Sequence, residues 1–165
     1  FGDEFPQIFK KLKDSKIKVK IYQQCLNSQN AQLSEFYKRA QIDFEIFNFT
    51  SNIIDYYSKS NLVITRSGAS VLGELVNFKI PFISIPLPTS ADNHQYKNAL
   101  FYAKKGYGNF LEEKDIKNQL YNLIVSTFND KSILSSILLN QRQRSDKNIF
   151  ENLNSQIEKI LNEKN

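Results

Sequence analysis

Apolar positions along this chain switch repeatedly between a helical and an extended period, and the switches divide it into alternating elements. Phe5, Ile8, Phe9 and Leu12 recur at helical spacing, and Lys13-Asp14-Ser15 closes that helix. Over 17–22 apolar and charged residues alternate as in a strand. A helix follows over 29–40, with Leu33, Phe36 and Tyr37 on one face, then a strand over 44–49 and a short helix over 53–58 carrying Ile53, Ile54 and Tyr57. The segment 62–65 is apolar almost throughout, which suits burial on both faces of a parallel sheet. Helix is expected over 70–78 and strand over 81–85, started by Pro81 and stopped by Pro86 and Pro88. A helix over 93–104 ends at Gly106, a last strand spans 107–111, and helices are expected near 116–128, 131–143 and 147–162.

Strand and helix alternate from start to near the end, which predicts a Rossmann-like α/β domain with a doubly wound parallel sheet. No repeat, low-complexity linker or domain boundary interrupts 1–165, so one domain is expected. Such a domain should open with a strand and a glycine-rich turn, whereas this chain opens on a helix. Because the first strand of that fold sits where the strand order reverses, its absence predicts a gap at the centre of the sheet.

Composition narrows the picture. A chain of 165 residues that is 41% hydrophobic can bury a real core. No apolar run approaches the roughly 20 residues of a membrane span, and the opening residues lack a signal-peptide pattern. The single cysteine, Cys25, allows no internal disulfide and is expected to be buried. The chain contains no methionine, which fits a processed product, a trimmed chain or a piece of a longer protein. Net charge is +5, with six lysines between Lys10 and Lys20. They interleave with Leu12, Ile17, Val19 and Ile21, as on a solvated helix face followed by a strand. Attraction to an anionic membrane surface stays open, and the core-like spacing of the aromatics argues against nucleic acid.

The candidate chemistry lies in 61–99. In Arg66-Ser67-Gly68-Ala69-Ser70, Ser67 or Ser70 can cap the next helix, and Gly68 and Ala69 allow close backbone approach. The first-turn N–H groups can hold phosphate oxygens, and an ordinary capped helix start needs the same residues. Glu74 suits either a ribose diol or the helix dipole, and Arg66 either a phosphate or an ion pair. Asp92-Asn93-His94-Gln95 sets polar side chains at one strand's carboxyl edge, with Asn98 on the face of Gln95. Amides suit sugar hydroxyls, and capping by Asp92 or Asn93 is the simpler use of those two. One histidine with one cysteine makes no zinc site, and the Gly-x-Ser-x-Gly elbow of a hydrolase is absent.

Taken in order, these residues resemble the C-terminal half of the MurG family of UDP-N-acetylglucosamine transferases. The features are Arg66-Ser67-Gly68-Ala69, the spaced Glu74, the strand from Ile80-Pro81 to Pro86, Asp92-x-His94-Gln95-x-x-Asn98-Ala99, and the Gly106 turn. Ser70-Val71 stands where many members carry Leu-Thr, and His94 where some carry Gln. The resemblance implies the donor-binding domain of a GT-B glycosyltransferase. Backbone groups at Thr50 would meet uracil, the turn at Ala69, Ser70 and Val71 the pyrophosphate, Glu74 the ribose, and His94 with Gln95 the N-acetylglucosamine.

The implied reaction is inverting transfer of N-acetylglucosamine to a muramyl-pentapeptide carried on undecaprenyl diphosphate, at the cytoplasmic face of the bacterial inner membrane. The resemblance implies no cofactor or metal, and UDP-N-acetylglucosamine is the donor substrate. The family's glycine-rich turn, catalytic base and lipid-binding domain would lie ahead of Phe1, so no catalytic residue is expected in this chain. A donor subunit of a split or different GT-B transferase, and a non-catalytic UDP-sugar-binding module, are the alternatives.

Overall fold

The computed structural model describes residues 4–144. Their elements run α1 (Glu4–Asp14), β1 (Lys20–Gln24), α2 (Asn27–Arg39), β2 (Asp43–Phe47), α3 (Ile53–Lys59), β3 (Val63–Thr65), α4 (Ala69–Asn77), β4 (Phe82–Ser84), α5 (His94–Lys104), β5 (Asn109–Phe110), α6 (Ile116–Asn129) and α7 (Lys131–Gln143). Every expected element through 143 is present, and the helix expected near 147–162 lies outside the described residues.

Boundaries moved where helix ends consumed residues that read as strand. After α1, Lys16 takes a left-handed φ of 62°, and the N–H of Ile17 returns to the carbonyl of Leu12 at 3.1 Å. That closure delays β1 to Lys20. The same closure recurs after α2 at Gln41 (φ 53°), after α4 at Lys79 (φ 61°) and after α5 at Gly106 (φ 67°). In each, the following N–H reaches five residues back: Ile42 to Tyr37, Ile80 to Leu75, Tyr107 to Tyr102. The end of α1 at Asp14 and the stop at Gly106 were legible, but only Gly106 was legible as a left-handed residue, because Lys16, Gln41 and Lys79 are types that ordinarily avoid this region.

All strand pairing among the described residues is parallel. β1 pairs with β2, while β3, β4 and β5 form a separate sheet in that order. Among the described residues no strand pairing joins the β1–β2 pair to the sheet of β3, β4 and β5.

Two apolar layers sandwich the strands. On one side Phe5, Ile8, Phe9 and Leu12 of α1 pack with Tyr37 of α2 and with Ile116, Leu120 and Ile124 of α6. On the other, Tyr57 of α3 packs with Leu72, Leu75 and Val76 of α4. Neighbouring strand residues face opposite layers, Ile83 and Ile64 towards the first, Phe82 and Val63 towards the second. β4, paired on both sides, is buried along its whole length. β3 was expected to be equally buried but is only half-buried, since among the described residues one of its edges has no strand beside it. Cys25, expected in the core, is also only half-buried at the end of β1, where it lines a cavity of about 450 Å³ with Leu26 and Phe49.

Candidate functional site

Parallel strands place all their carboxyl ends at one edge, so the loops after β3, β4 and β5 meet there. The loop after β3 enters α4 through Gly68, whose φ of −66° and ψ of 135° are those of an ordinary N-cap residue. Its carbonyl accepts the first intrahelical bond, from Leu72 N at 3.0 Å. No side chain caps this helix, so the capping expected of Ser67 or Ser70 is not made. The first-turn N–H groups at Ala69, Ser70 and Val71 therefore remain open towards the edge. Ser67 itself is fully buried, and its hydroxyl has no hydrogen-bond partner among the described residues.

Two amides from α5 grip Ser67. Oε1 of Gln95 accepts from Ser67 N at 3.3 Å and from Leu87 N at 3.0 Å, joining the loops after β3 and β4. Nδ2 of Asn98 donates to the Ser67 carbonyl at 3.1 Å. Both residues are half-buried. The structure thus brings Ser67, Gln95 and Asn98 into direct contact. Because the Gln95 oxygen serves two backbone donors, the amide nitrogen is the group left to face outward.

Glu74 stands exposed on the second turn of α4, and its carboxylate makes no hydrogen bond or ion pair with the described residues. Its charge is felt at Tyr57, whose hydroxyl is pushed above its usual pKa by burial first and by Glu74 second. His94, the first residue of α5, is exposed, with Nδ1 2.7 Å from the carbonyl oxygen of Ala91. Asp92 and Asn93 ahead of it both adopt left-handed φ, 48° and 53°, and neither side chain caps α5. This replaces their expected capping role with a strained turn that aims the helix start. Thr50 sits after β2, where its hydroxyl accepts Asn52 N at 3.1 Å, and no hydrogen bond joins it to the Ser67 cluster.

Arg66 lies in an ion pair. It donates to Glu113, in the 3-10 turn after β5, and to the Pro86 carbonyl at 3.2 Å. Nothing in the local sequence marks Glu113, although its place after β5 puts it at the same edge. The larger cavity, about 590 Å³ and lined by Lys13, Lys16, Lys18 and Lys20, lies at the opposite, amino edge. No group of three His, Cys, Asp or Glu among the described residues could hold a metal ion.

A parallel α/β sheet with an uncapped helix N-terminus at its carboxyl edge, and a carboxylate one turn on, is the architecture of a Rossmann-like domain. The model of the glycosyltransferase family 28 C-terminal domain matches residues 3–157, and the chain belongs to that family. A UDP-N-acetylglucosamine--N-acetylmuramyl-(pentapeptide) pyrophosphoryl-undecaprenol N-acetylglucosamine transferase of Pelagibacter ubique is 35% identical over 147 residues, 88% of this chain and 41% of the relative. A transferase of the same name from Rickettsia bellii is 33% identical over 162 residues, covering 93% and 46%. The crystal structure of Acinetobacter baumannii MurG superimposes with a TM-score of 0.73 at 23% identity, covering 87% of this chain and 41% of that one. The fold is shared with that structure, and the chain spans less than half the length of these relatives.

Proposed function

We propose that residues 1–165 form the donor-binding domain of an inverting GT-B glycosyltransferase. In this reading the whole enzyme moves N-acetylglucosamine from UDP-N-acetylglucosamine to undecaprenyl-diphospho-muramoyl-pentapeptide in peptidoglycan precursor synthesis. The observation that carries it is the start of α4, a helix with no side-chain cap, beside a buried Ser67 hydroxyl without a partner among the described residues. Open N–H groups and the helix dipole at that point favour phosphate oxygens.

The chemistry follows from where charge develops. Breaking the bond between sugar and diphosphate concentrates negative charge on the leaving UDP. Fixed N–H dipoles at Ala69, Ser70 and Val71 stabilise that charge more in the transition state than in the bound donor. Glu74, a carboxylate with no ion pair among the described residues, accepts from both ribose hydroxyls. His94 and the outward amide of Gln95 face the sugar, and backbone groups at Thr50 take the uracil. The donor, rather than a cofactor or metal, is the small molecule this domain holds.

The acceptor and the catalytic base belong to the part of the enzyme that the relatives carry beyond the matched region. The lipid-linked acceptor puts the enzyme at the cytoplasmic face of the inner membrane as a peripheral protein, with no role for nucleic acid. No helix among the described residues is long and apolar enough to cross a membrane. Calorimetric titration of the chain with UDP, UDP-N-acetylglucosamine and GDP tests the reading. Binding of the two uridine ligands in preference to GDP is expected, and equal or absent binding of all three overturns it.

A further inference from the structure

We propose that Asn98 is a positioning residue, acting on a bound diphosphate through the Ser67–Gly68 peptide and touching no ligand itself. This rests on the reading of the α4 N-terminus as the diphosphate site. Asn98 would otherwise be grouped with Gln95 as a sugar contact, since both project from one face of α5. The hydrogen bonds separate them. The nitrogen of Asn98 is committed to the Ser67 carbonyl oxygen at 3.1 Å.

That bond has a consequence one atom further along the chain. A trans peptide is planar, with its C=O and the next N–H pointing in opposite directions. No cis peptide occurs among the described residues. Holding the Ser67 oxygen towards α5 therefore turns the Gly68 N–H away from α5. Gly68 is the N-cap of α4, so this N–H joins those of Ala69, Ser70 and Val71 as a donor for an anion. Gln95 fixes the preceding peptide in the same way, by accepting Ser67 N at 3.3 Å. Both peptide planes flanking Ser67 are set from α5.

Apolar packing also holds α5 in place. Ala99 is fully buried, and Tyr102 packs edge-on against Phe82 with ring centroids 6.3 Å apart. Loss of the Asn98 amide removes a restraint on the turn while the helix stays docked. The 67–68 peptide can then rotate, and the anion loses a pre-aligned donor at the cost of reordering it on binding.

The test uses the 165-residue chain with Asn98→Leu, which keeps the shape and loses the donor, and Asn98→Asp, which sets an acceptor against the carbonyl. Affinities for uridine, UDP and UDP-N-acetylglucosamine are measured, together with the amide nitrogen resonance of Gly68 without ligand. Both variants should weaken UDP and UDP-N-acetylglucosamine by the same factor, about tenfold. Uridine affinity should stay unchanged, and the Gly68 resonance should move. Loss confined to UDP-N-acetylglucosamine would make Asn98 a sugar contact and overturn the inference. Equal loss for uridine with a lowered Tm would make it merely structural, and unchanged UDP affinity would also overturn it. If the unaltered chain fails to bind UDP, the diphosphate reading itself falls, and this inference with it.

Discussion

Arg66 and Glu113 form an ion pair that joins the loop after β3 to the turn after β5, with side-chain exposures of 28% and 37%. Arg66 also donates to the Pro86 carbonyl, so one guanidinium ties together the loops after three adjacent strands. An arginine at this sequence position reads equally well as a phosphate ligand, and the structure assigns it to the scaffold. A double-mutant cycle with Arg66→Met and Glu113→Gln, followed by urea unfolding, should give a coupling energy of about 1 kcal/mol after solvent screening. A coupling of zero would remove the pair from the scaffold.

Glu74 has no protein partner among the described residues, so replacing it should leave the fold intact. In Glu74→Ala the lost ribose hydrogen bonds should weaken UDP binding by about 1.5–3 kcal/mol with little change in Tm. An unchanged dissociation constant for UDP counts against the ribose assignment.

Gly68 has a φ that any residue adopts, and a Cβ built there meets nothing nearer than Val71 Cγ2 at 4.0 Å. The free chain therefore does not need glycine at this position. Gly68→Ala should change stability by less than about 0.5 kcal/mol. If glycine serves close approach of a phosphate, the same variant should still bind UDP about tenfold more weakly. Normal UDP affinity in Gly68→Ala would show that backbone approach is not limiting.

The four left-handed helix stops make opposite predictions by residue type. Lys16→Gly removes the Cβ penalty of a left-handed residue, offset in part by a more flexible unfolded chain, and should stabilise by about 0.5 kcal/mol. Gly106→Ala should destabilise by about 1–3 kcal/mol, because its φ is 67° and a Cβ would collide with the Asn140 side chain. Chemical denaturation of both variants checks the pair.

Tyr37 is fully buried and donates from its hydroxyl to Gln23 Oε1 at 2.5 Å. Burial first, and then the Cys25 thiol, push its pKa well above the ordinary 10.0. The folded-state value is the raised one, so this contribution to stability is complete below about pH 10 and is lost as pH rises towards the folded value. Stability should therefore fall above about pH 10, with a shallower fall in Tyr37→Phe. Equal alkaline slopes in the two proteins would exclude Tyr37 as the source.

The amino-acid sequence by itself determined the order and type of the elements through 143 and the α/β class. These rest on local period and chain order, which residues such as Phe5, Ile8, Phe9 and Leu12 carry within a single turn or two. It also marked the turn at Ser67–Ala69, Glu74 and the His94-Gln95 pair as candidates by residue type and place at a strand end, while leaving capping and dipole roles open. Only the tertiary structure decided what each one touches. That Gln95 and Asn98 hold Ser67 from 28 and 31 residues away, that Arg66 faces Glu113, and that no serine caps α4 all depend on loops brought together by parallel pairing. Local sequence carries the period of each element, whereas a contact between loops depends on the register of β3, β4 and β5, which no single segment encodes.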